Sequence, residues 1–333
     1  MTSPRHSGSL LADTEMTKQR FTDLIMLAAK LKTAKRGGTE RPLLTGRSIA
    51  LLFEKNSTRT RCAFEVAAYD QGAHVTYLGP TGSHVGAEES IADTARVLGG
   101  MYDGIAFRGF DQSAVTELAD HAGVPVWNAL SDQWHPTQSL ADILTMTEHY
   151  DGALEDIAYC FAGDGRNNVA RSLLVTGAVL GMDVRIAAPA SLRPPTDVVA
   201  AAQEAAAVSG ARVLVTDDVT AGVRGADYIY TDVWLSMGEP DSQWASRVAD
   251  LLPYRVTEQL MASTGRADTK FMHCLPSIHN RDTKVGARLH EEFGLDGAEV
   301  TEQVFESKNS IVFDQSENKM HTIKAVLVGT LAT

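Results

Sequence analysis

The sequence predicts an α/β protein of two doubly wound domains, each with a central parallel sheet flanked by helices. Three observations carry that prediction. Apolar runs too short for a helix, such as residues 49–53 (Ile-Ala-Leu-Leu-Phe), alternate with longer stretches of helical periodicity, the pattern of βαβ units. The short runs are apolar throughout, which suits strands covered on both faces. At roughly 150 residues per domain, a chain of 333 residues favours two domains over one.

The elements follow in order. Residues 17–35 form a helix with Phe21, Leu24, Ile25, Ala28 and Leu31 on one face, stopped by Gly37-Gly38. Strand 49–53, helix 61–69, strand 75–78, helix 90–98 and strands 105–107 and 124–127 complete the first domain. The second repeats the rhythm without repeating the sequence, with strands at 157–161, 184–187, 213–215, 228–230 and 271–273. Residues 198–208, almost all alanine and valine, form one of its helices. Tyr150-Asp151-Gly152 marks the boundary, giving domains 1–150 and 151–316. A last amphipathic helix, 317–331, carries Met320, Ile323, Val326 and Leu327 on one side.

Composition narrows the function. Hydrophobic residues at 44% and charged residues at 22% exclude a disordered or collagen-like chain. Lys+Arg 30 against Asp+Glu 42 leaves a net charge of −12, and no basic run offsets it, so nucleic acid and anionic membranes are unfavourable partners. Three cysteines (Cys62, Cys160, Cys274) make no disulfide framework and suit a reducing compartment. Residues 1–11 are polar and lack the apolar run of a signal peptide, and no apolar stretch reaches the ~18 residues of a membrane span. The expectation is a soluble, cytoplasmic protein.

Five segments carry chemistry. Residues 54–61 (Glu-Lys-Asn-Ser-Thr-Arg-Thr-Arg) lie between a strand and a helix. The hydroxyls of Ser57, Thr58 and Thr60, the forks of Arg59 and Arg61 and the free N–H groups of the helix start make an anion cradle. It is not the P-loop pattern, and a capped helix with two solvated arginines is the plain alternative. Trp134-His135-Pro136-Thr137-Gln138 is a second helix start, with Pro136 at the first helical position and His135 at the cap, where the dipole keeps a histidine neutral. A plain cap is the alternative there. Gly163-Asp164-Gly165-Arg166-Asn167-Asn168 follows a strand, where open α/β sheets place ligands, but lacks the glycine spacing of a dinucleotide site. Asp232 with Ser236-Met237-Gly238 follows another strand and reads equally as an ordinary loop. His273-Cys274-Leu275-Pro276 admits a zinc, a nucleophilic-cysteine or a buried-thiol reading, and lacks paired ligand spacing.

Together, in this order and spacing, residues 57–61, 135–138, 232 with 236–238, and 273–276 resemble the ornithine carbamoyltransferases, over nearly the whole chain. The resemblance implies transfer of the carbamoyl group of carbamoyl phosphate to the δ-amine of L-ornithine, giving L-citrulline and phosphate, with no metal or organic cofactor. It implies that Ser57, Thr58, Arg59 and Thr60 hold the phosphate and that Arg108 bridges phosphate and carbonyl oxygen. His135 and Gln138 would fix the carbamoyl end, His135 polarising the carbonyl. Asn168, Asp232, Ser236 and Met237 would hold ornithine, and Cys274 and Leu275 would lie at the reacting centre, with Arg108, His135, Asp232 and Cys274 catalytic. The Ser-Met-Gly loop would close over ornithine and exclude water. The family is built on trimers with shared active sites, so a homotrimer is expected, with His84 in the loop 79–89 reaching a neighbour's site and residues 317–333 returning to the first domain.

One departure stands out. Relatives carry Glu-Asn-Arg-Met-His-Thr where this chain has Glu317-Asn318-Lys319-Met320-His321-Thr322. Lys319 keeps the charge near the carbamoyl oxygen but loses the bidentate fork, so weaker carbamoyl phosphate binding, or a water filling the gap, is expected. Other readings are a transcarbamoylase for putrescine or N-acetylornithine and a catalytically silent regulatory relative. Aspartate as acceptor fits poorly with Asp232, and a nicotinamide dehydrogenase lacks its fingerprint.

Overall fold

The computed structural model describes residues 7–80, 89–236 and 238–332, and its contacts divide the chain into two compact units, Met1–Leu144 with Ser316–Thr333, and Thr145–Gln315. Each unit carries one parallel sheet flanked by helices. Among the described residues no helix is long and apolar enough to cross a membrane.

The first unit holds helix α1 (Lys18–Arg36), strand β1 (Ser48–Phe53), α2 (Thr58–Asp70), β2 (His74–Leu78), α3 (Ile91–Gly99), β3 (Gly104–Arg108), α4 (Gln112–Ala122), β4 (Val126–Leu130) and the start of α5 (Pro136–Glu148). The strand order is β2-β1-β3-β4. β1 is central and buried over 49–53, which is why it reads as one apolar run, whereas β2 lies at the edge and is only half covered. The order reverses between β1 and β3, whose last residues, Phe53 and Arg108, are paired in register. Pairing of β3 with β4 slips between Phe107 and Arg108, where Ala129 of β4 is passed over and Arg108 pairs with Leu130. Strand β4 runs later than the predicted 124–127, because Pro125 has no N–H to give a ladder.

The second unit holds β5 (Ala158–Ala162), α6 (Asn168–Leu180), β6 (Asp183–Ala187), α7 (Thr196–Ser209), β7 (Arg212–Thr216), α8 (Val219–Val223), β8 (Tyr228–Thr231), α9 (Trp244–Leu251), α10 (Glu258–Ala262), β9 (Lys270–His273), α11 (Lys284–Phe293), α12 (Glu302–Phe305) and the start of α13 (Val312–Leu331). The order is β7-β6-β5-β8-β9, reversing between β5 and β8. Helix α6 lies close on the sheet at Gly177, where a Cβ would come within 2.2 Å of the Tyr159 hydroxyl.

The last helix differs from its prediction. It starts at Val312, five residues before the expected Glu317, and over 321–328 every residue is buried, so the one-sided apolar stripe is absent there. Polar partners make that burial tolerable. Within the first unit, Lys32 donates to Asn318 at 2.7 Å, and the fully buried Lys324 reaches Glu40 at 2.5 Å and Asp70 at 2.7 Å. Burial alone would raise the Asp70 pKa, but hydrogen bonds and charge from Lys324 and Lys35 outweigh it and hold it below the usual aspartate value.

Lys324→Met removes the ammonium shared by two mostly buried carboxylates, leaving Lys35 on Asp70 and the Gln71 amide on Glu40, and is expected to cost about 3 kcal/mol at neutral pH. A carboxyl depressed in the folded state contributes stability above its unfolded pKa of about 3.9 and loses it as pH falls through the folded value. Urea denaturation is therefore expected to show a large wild-type advantage at pH 7 that shrinks in stronger acid; an advantage unchanged with pH would contradict it.

Candidate active site

Both switch points carry the polar segments singled out in the sequence, at the carboxyl ends of the strands, where open parallel sheets bind ligands. Each half is built by its own unit.

In the first unit, the chain leaves β1 and turns into α2 at Ser57. The Ser57 hydroxyl caps that helix, accepting from the Thr60 N–H at 3.3 Å. Thr58 is exposed, Arg59 half-buried and Thr60 buried, so the helix start combines free N–H groups, hydroxyls and one guanidinium. Arg61 is not part of it. It donates to Glu65 at 2.8 Å and lies over the Tyr77 ring at 3.9 Å, against the sequence expectation of a second phosphate fork. Lys55 is buried against Asp132 and lies over the Phe110 ring at 4.1 Å, which ties the loop after β1 to the loops after β3 and β4. Arg108 is buried at the end of β3.

His135 caps α5, which Pro136 opens. Its Nδ1 lies 3.4 Å from the Thr137 hydroxyl and its Nε2 3.2 Å from the Lys319 ammonium. An ammonium has no lone pair, so Nε2 accepts and the ring is neutral. Burial foremost, then the charges of Lys319 and Arg108, push the His135 pKa well below its ordinary value. The expectation of a neutral histidine thus agrees, but burial and two cations account for it here. Lys319 also donates to Gln138 Oε1 at 2.9 Å, and the Gln138 amide is aimed by its own donation to Asp142 at 2.7 Å. Asp142 was not singled out in the sequence, although its place one helical turn after Gln138 is a usable signal. His84 lies outside the described residues.

In the second unit, Asp232 follows β8 and is buried. Its Oδ1 accepts from the Val233 N–H at 2.8 Å and the Cys274 thiol at 3.2 Å, and its Oδ2 from the Asn167 amide at 2.9 Å. Asn167, given no role of its own within the 163–168 turn by the sequence, also caps α6 by accepting from the Val169 N–H at 2.7 Å; Asn168 is the half-buried first residue of that helix. Ser236 is exposed, and its N–H donates to Glu239 at 2.7 Å. Glu239 accepts from Arg247 at 2.5 Å, and Arg247 pairs with Asp164 at 3.1 Å, so the loop after β8 is tied to the turn after β5. Met237 lies outside the described residues. Cys274 and Leu275 follow β9 and are half-buried. Donor atoms of Asp232, His273 and Cys274 lie within 4.8 Å of one another, but the thiol already bonds Asp232, and His273 Nδ1 accepts from the Leu275 N–H at 2.9 Å.

The chain matches known proteins over nearly its full length. The family description "Aspartate/ornithine carbamoyltransferase, carbamoyl-P binding domain" fits residues 9–148, and "Aspartate/ornithine carbamoyltransferase, Asp/Orn binding domain" fits residues 155–330. The chain belongs to the aspartate/ornithine carbamoyltransferase family. It is 56% identical over 330 residues to the ornithine carbamoyltransferase of Actinobacillus pleuropneumoniae serotype 5b, covering 98% of each chain. It is 57% identical over 328 residues to the catabolic ornithine carbamoyltransferase of Burkholderia mallei, again with 98% of each covered. Among solved structures, the ornithine carbamoyltransferase from Pyrococcus furiosus superposes with a TM-score of 0.88 at 38% identity, covering 98% of this chain and 97% of that one. Membership makes the chain a carbamoyltransferase.

The His135 environment is testable directly. Nuclear magnetic resonance titration of the His135 ring is expected to show no protonation near pH 6.5, with a rise in pKa on Lys319→Met that stays below the ordinary value because burial persists. A wild-type ring that protonates near pH 6.5 would contradict this geometry.

Proposed function

We propose that the chain transfers the carbamoyl group of carbamoyl phosphate to the δ-amine of L-ornithine, forming L-citrulline and releasing phosphate. The observation that carries this reading is the chemical difference between the two halves. One offers fixed cations and helix N–H groups to a phosphate and a carbonyl, and the other a buried acid to an amino acid.

Residues 1–150 with the last helix take carbamoyl phosphate, and residues 151–316 take ornithine. Ser57, Thr58, Arg59 and Thr60 hold the phosphate, whose charge rises as its C–O bond breaks; Arg108 stabilises that charge and the carbonyl oxygen. His135, Gln138 and Lys319 bind the carbamoyl end. Because His135 Nε2 accepts from Lys319, the ammonium is the donor that meets the carbonyl oxygen, and His135 aims it. Asn168, Asp232, Ser236 and Met237 hold ornithine, assisted by Asn167. Cys274 and Leu275 border the reacting carbon. The δ-ammonium, with a pKa near 10 like lysine, loses a proton before its lone pair attacks. Attack forms the C–N bond, the C–O bond breaks, phosphate leaves with the electron pair, and the departing phosphate takes the second proton of the attacking nitrogen. Positioning and electrostatics supply the rate.

We also propose a cytoplasmic homotrimer in which His84 serves a neighbouring site. Three free cysteines support the compartment. The half-covered edge strand β2 supports association, together with exposed Val66 and Tyr69 beside a cavity of about 350 Å³ that His74 and Val75 also line.

Formation of the carbamoylated amine with L-ornithine, putrescine and N-acetylornithine offered side by side tests the assignment. Ornithine is expected to win by about tenfold to a hundredfold in kcat/KM, the scale set by a charged hydrogen bond to Asp232. Preference for another amine would overturn the ornithine assignment, and no turnover would favour a silent regulatory relative. Full activity in monomers at high dilution would overturn the trimer.

A further inference from the structure

We propose that Glu299 is a positioning residue for carbamoyl transfer, setting the backbone of Cys274-Leu275 through the ring of His273. The inference rests on the transfer reading above, which puts Cys274 and Leu275 beside the reacting carbon.

Glu299 and His273 are both fully buried. The Glu299 backbone is anchored, since its carbonyl accepts from the Val256 N–H at 2.9 Å beside the Val256–Val300 bridge. From that anchor, its Oε1 accepts from the Ile278 N–H at 2.6 Å and the Ser277 hydroxyl at 3.0 Å. The same oxygen lies 3.3 Å from His273 Nε2, a contact too poorly aligned for a hydrogen bond and therefore an electrostatic one. On the other side of the ring, Nδ1 accepts from the Leu275 N–H at 2.9 Å. A ring nitrogen that accepts carries no proton, so the proton of this ring is on Nε2, facing Glu299.

The carboxyl thus does two things. It holds the far end of the loop at Ser277 and Ile278, and it selects the tautomer that holds the near end at Leu275. Between those ties Leu275 adopts φ +58, in the left-handed region that a leucine rarely enters, so the loop would relax without them. The thiol that leaves this loop donates to Asp232. Glu299 therefore acts on the reacting centre entirely through the loop.

Glu299→Gln keeps the shape and removes the charge. It is expected to lower kcat with ornithine by about tenfold to a hundredfold, the scale of a small misplacement at a reacting centre. The KM for carbamoyl phosphate should stay within about twofold, because the phosphate grip lies in the other unit. Imidazole nitrogen-15 shifts should show the His273 proton spread over both nitrogens. Glu299→Asp, which keeps the charge, should restore the tautomer and part of kcat. His273→Gln offers an oxygen to Leu275 and an N–H to Glu299, so it should far outperform His273→Leu. Wild-type kcat and unshifted nitrogens in Glu299→Gln would overturn the proposal, as would His273→Gln as inactive as His273→Leu, which would make the ring itself chemical. Failure of the wild-type enzyme to form citrulline would count against the transfer reading instead, and the nitrogen shifts would still decide whether Glu299 sets the tautomer.

Discussion

A buried cation organises the first unit's half of the site. Lys319 is almost fully enclosed, and a charge there requires acceptors. It finds them in His135 Nε2 and Gln138 Oε1, and each must be held in the accepting state. His135 stays neutral because burial and the same cation oppose its protonation. Gln138 presents its oxygen because Asp142 accepts from its amide nitrogen. Three side chains are thereby fixed before any substrate arrives, which is what electrostatic preorganisation requires.

The second half follows the opposite logic. There the central group is an acid, Asp232, and its neighbours are donors: a backbone N–H, the Asn167 amide and the Cys274 thiol. A cationic amine approaching such a group meets a fixed, partly desolvated acceptor. Both halves follow one topological rule, since each sheet reverses its strand order and the chemistry gathers at the carboxyl ends of the strands beside that reversal, with Lys319 of α13 added in the first unit. The chain thus uses the same architecture twice with opposite electrostatic sign.

Much of this was legible in the sequence. β1 and β5 are buried along their length, so they appear as unbroken apolar runs, and Pro136 and Ser57 announce their helices by local chemistry. The rest depends on tertiary placement. Arg59 and Arg61 are equivalent in a string, but Glu65 one turn further on captures only Arg61. Adjacent Asn167 and Asn168 are likewise indistinguishable until the cap geometry turns the first toward Asp232. The early start of α13 was hidden because Phe313 and Asp314 in its first turn are exposed and give no apolar period. Glu299 was invisible because its partners lie some twenty residues away along the chain.

Under the proposed function, labour is divided: Lys319 reads the carbamoyl end and the helix start at Ser57 reads the phosphate. The most direct test compares calorimetric binding of carbamoyl phosphate and inorganic phosphate to the wild-type enzyme and Lys319→Met. Loss of a charged hydrogen bond should weaken carbamoyl phosphate about tenfold to a hundredfold while phosphate changes far less. Equal weakening of both ligands, or no weakening of either, would contradict the account.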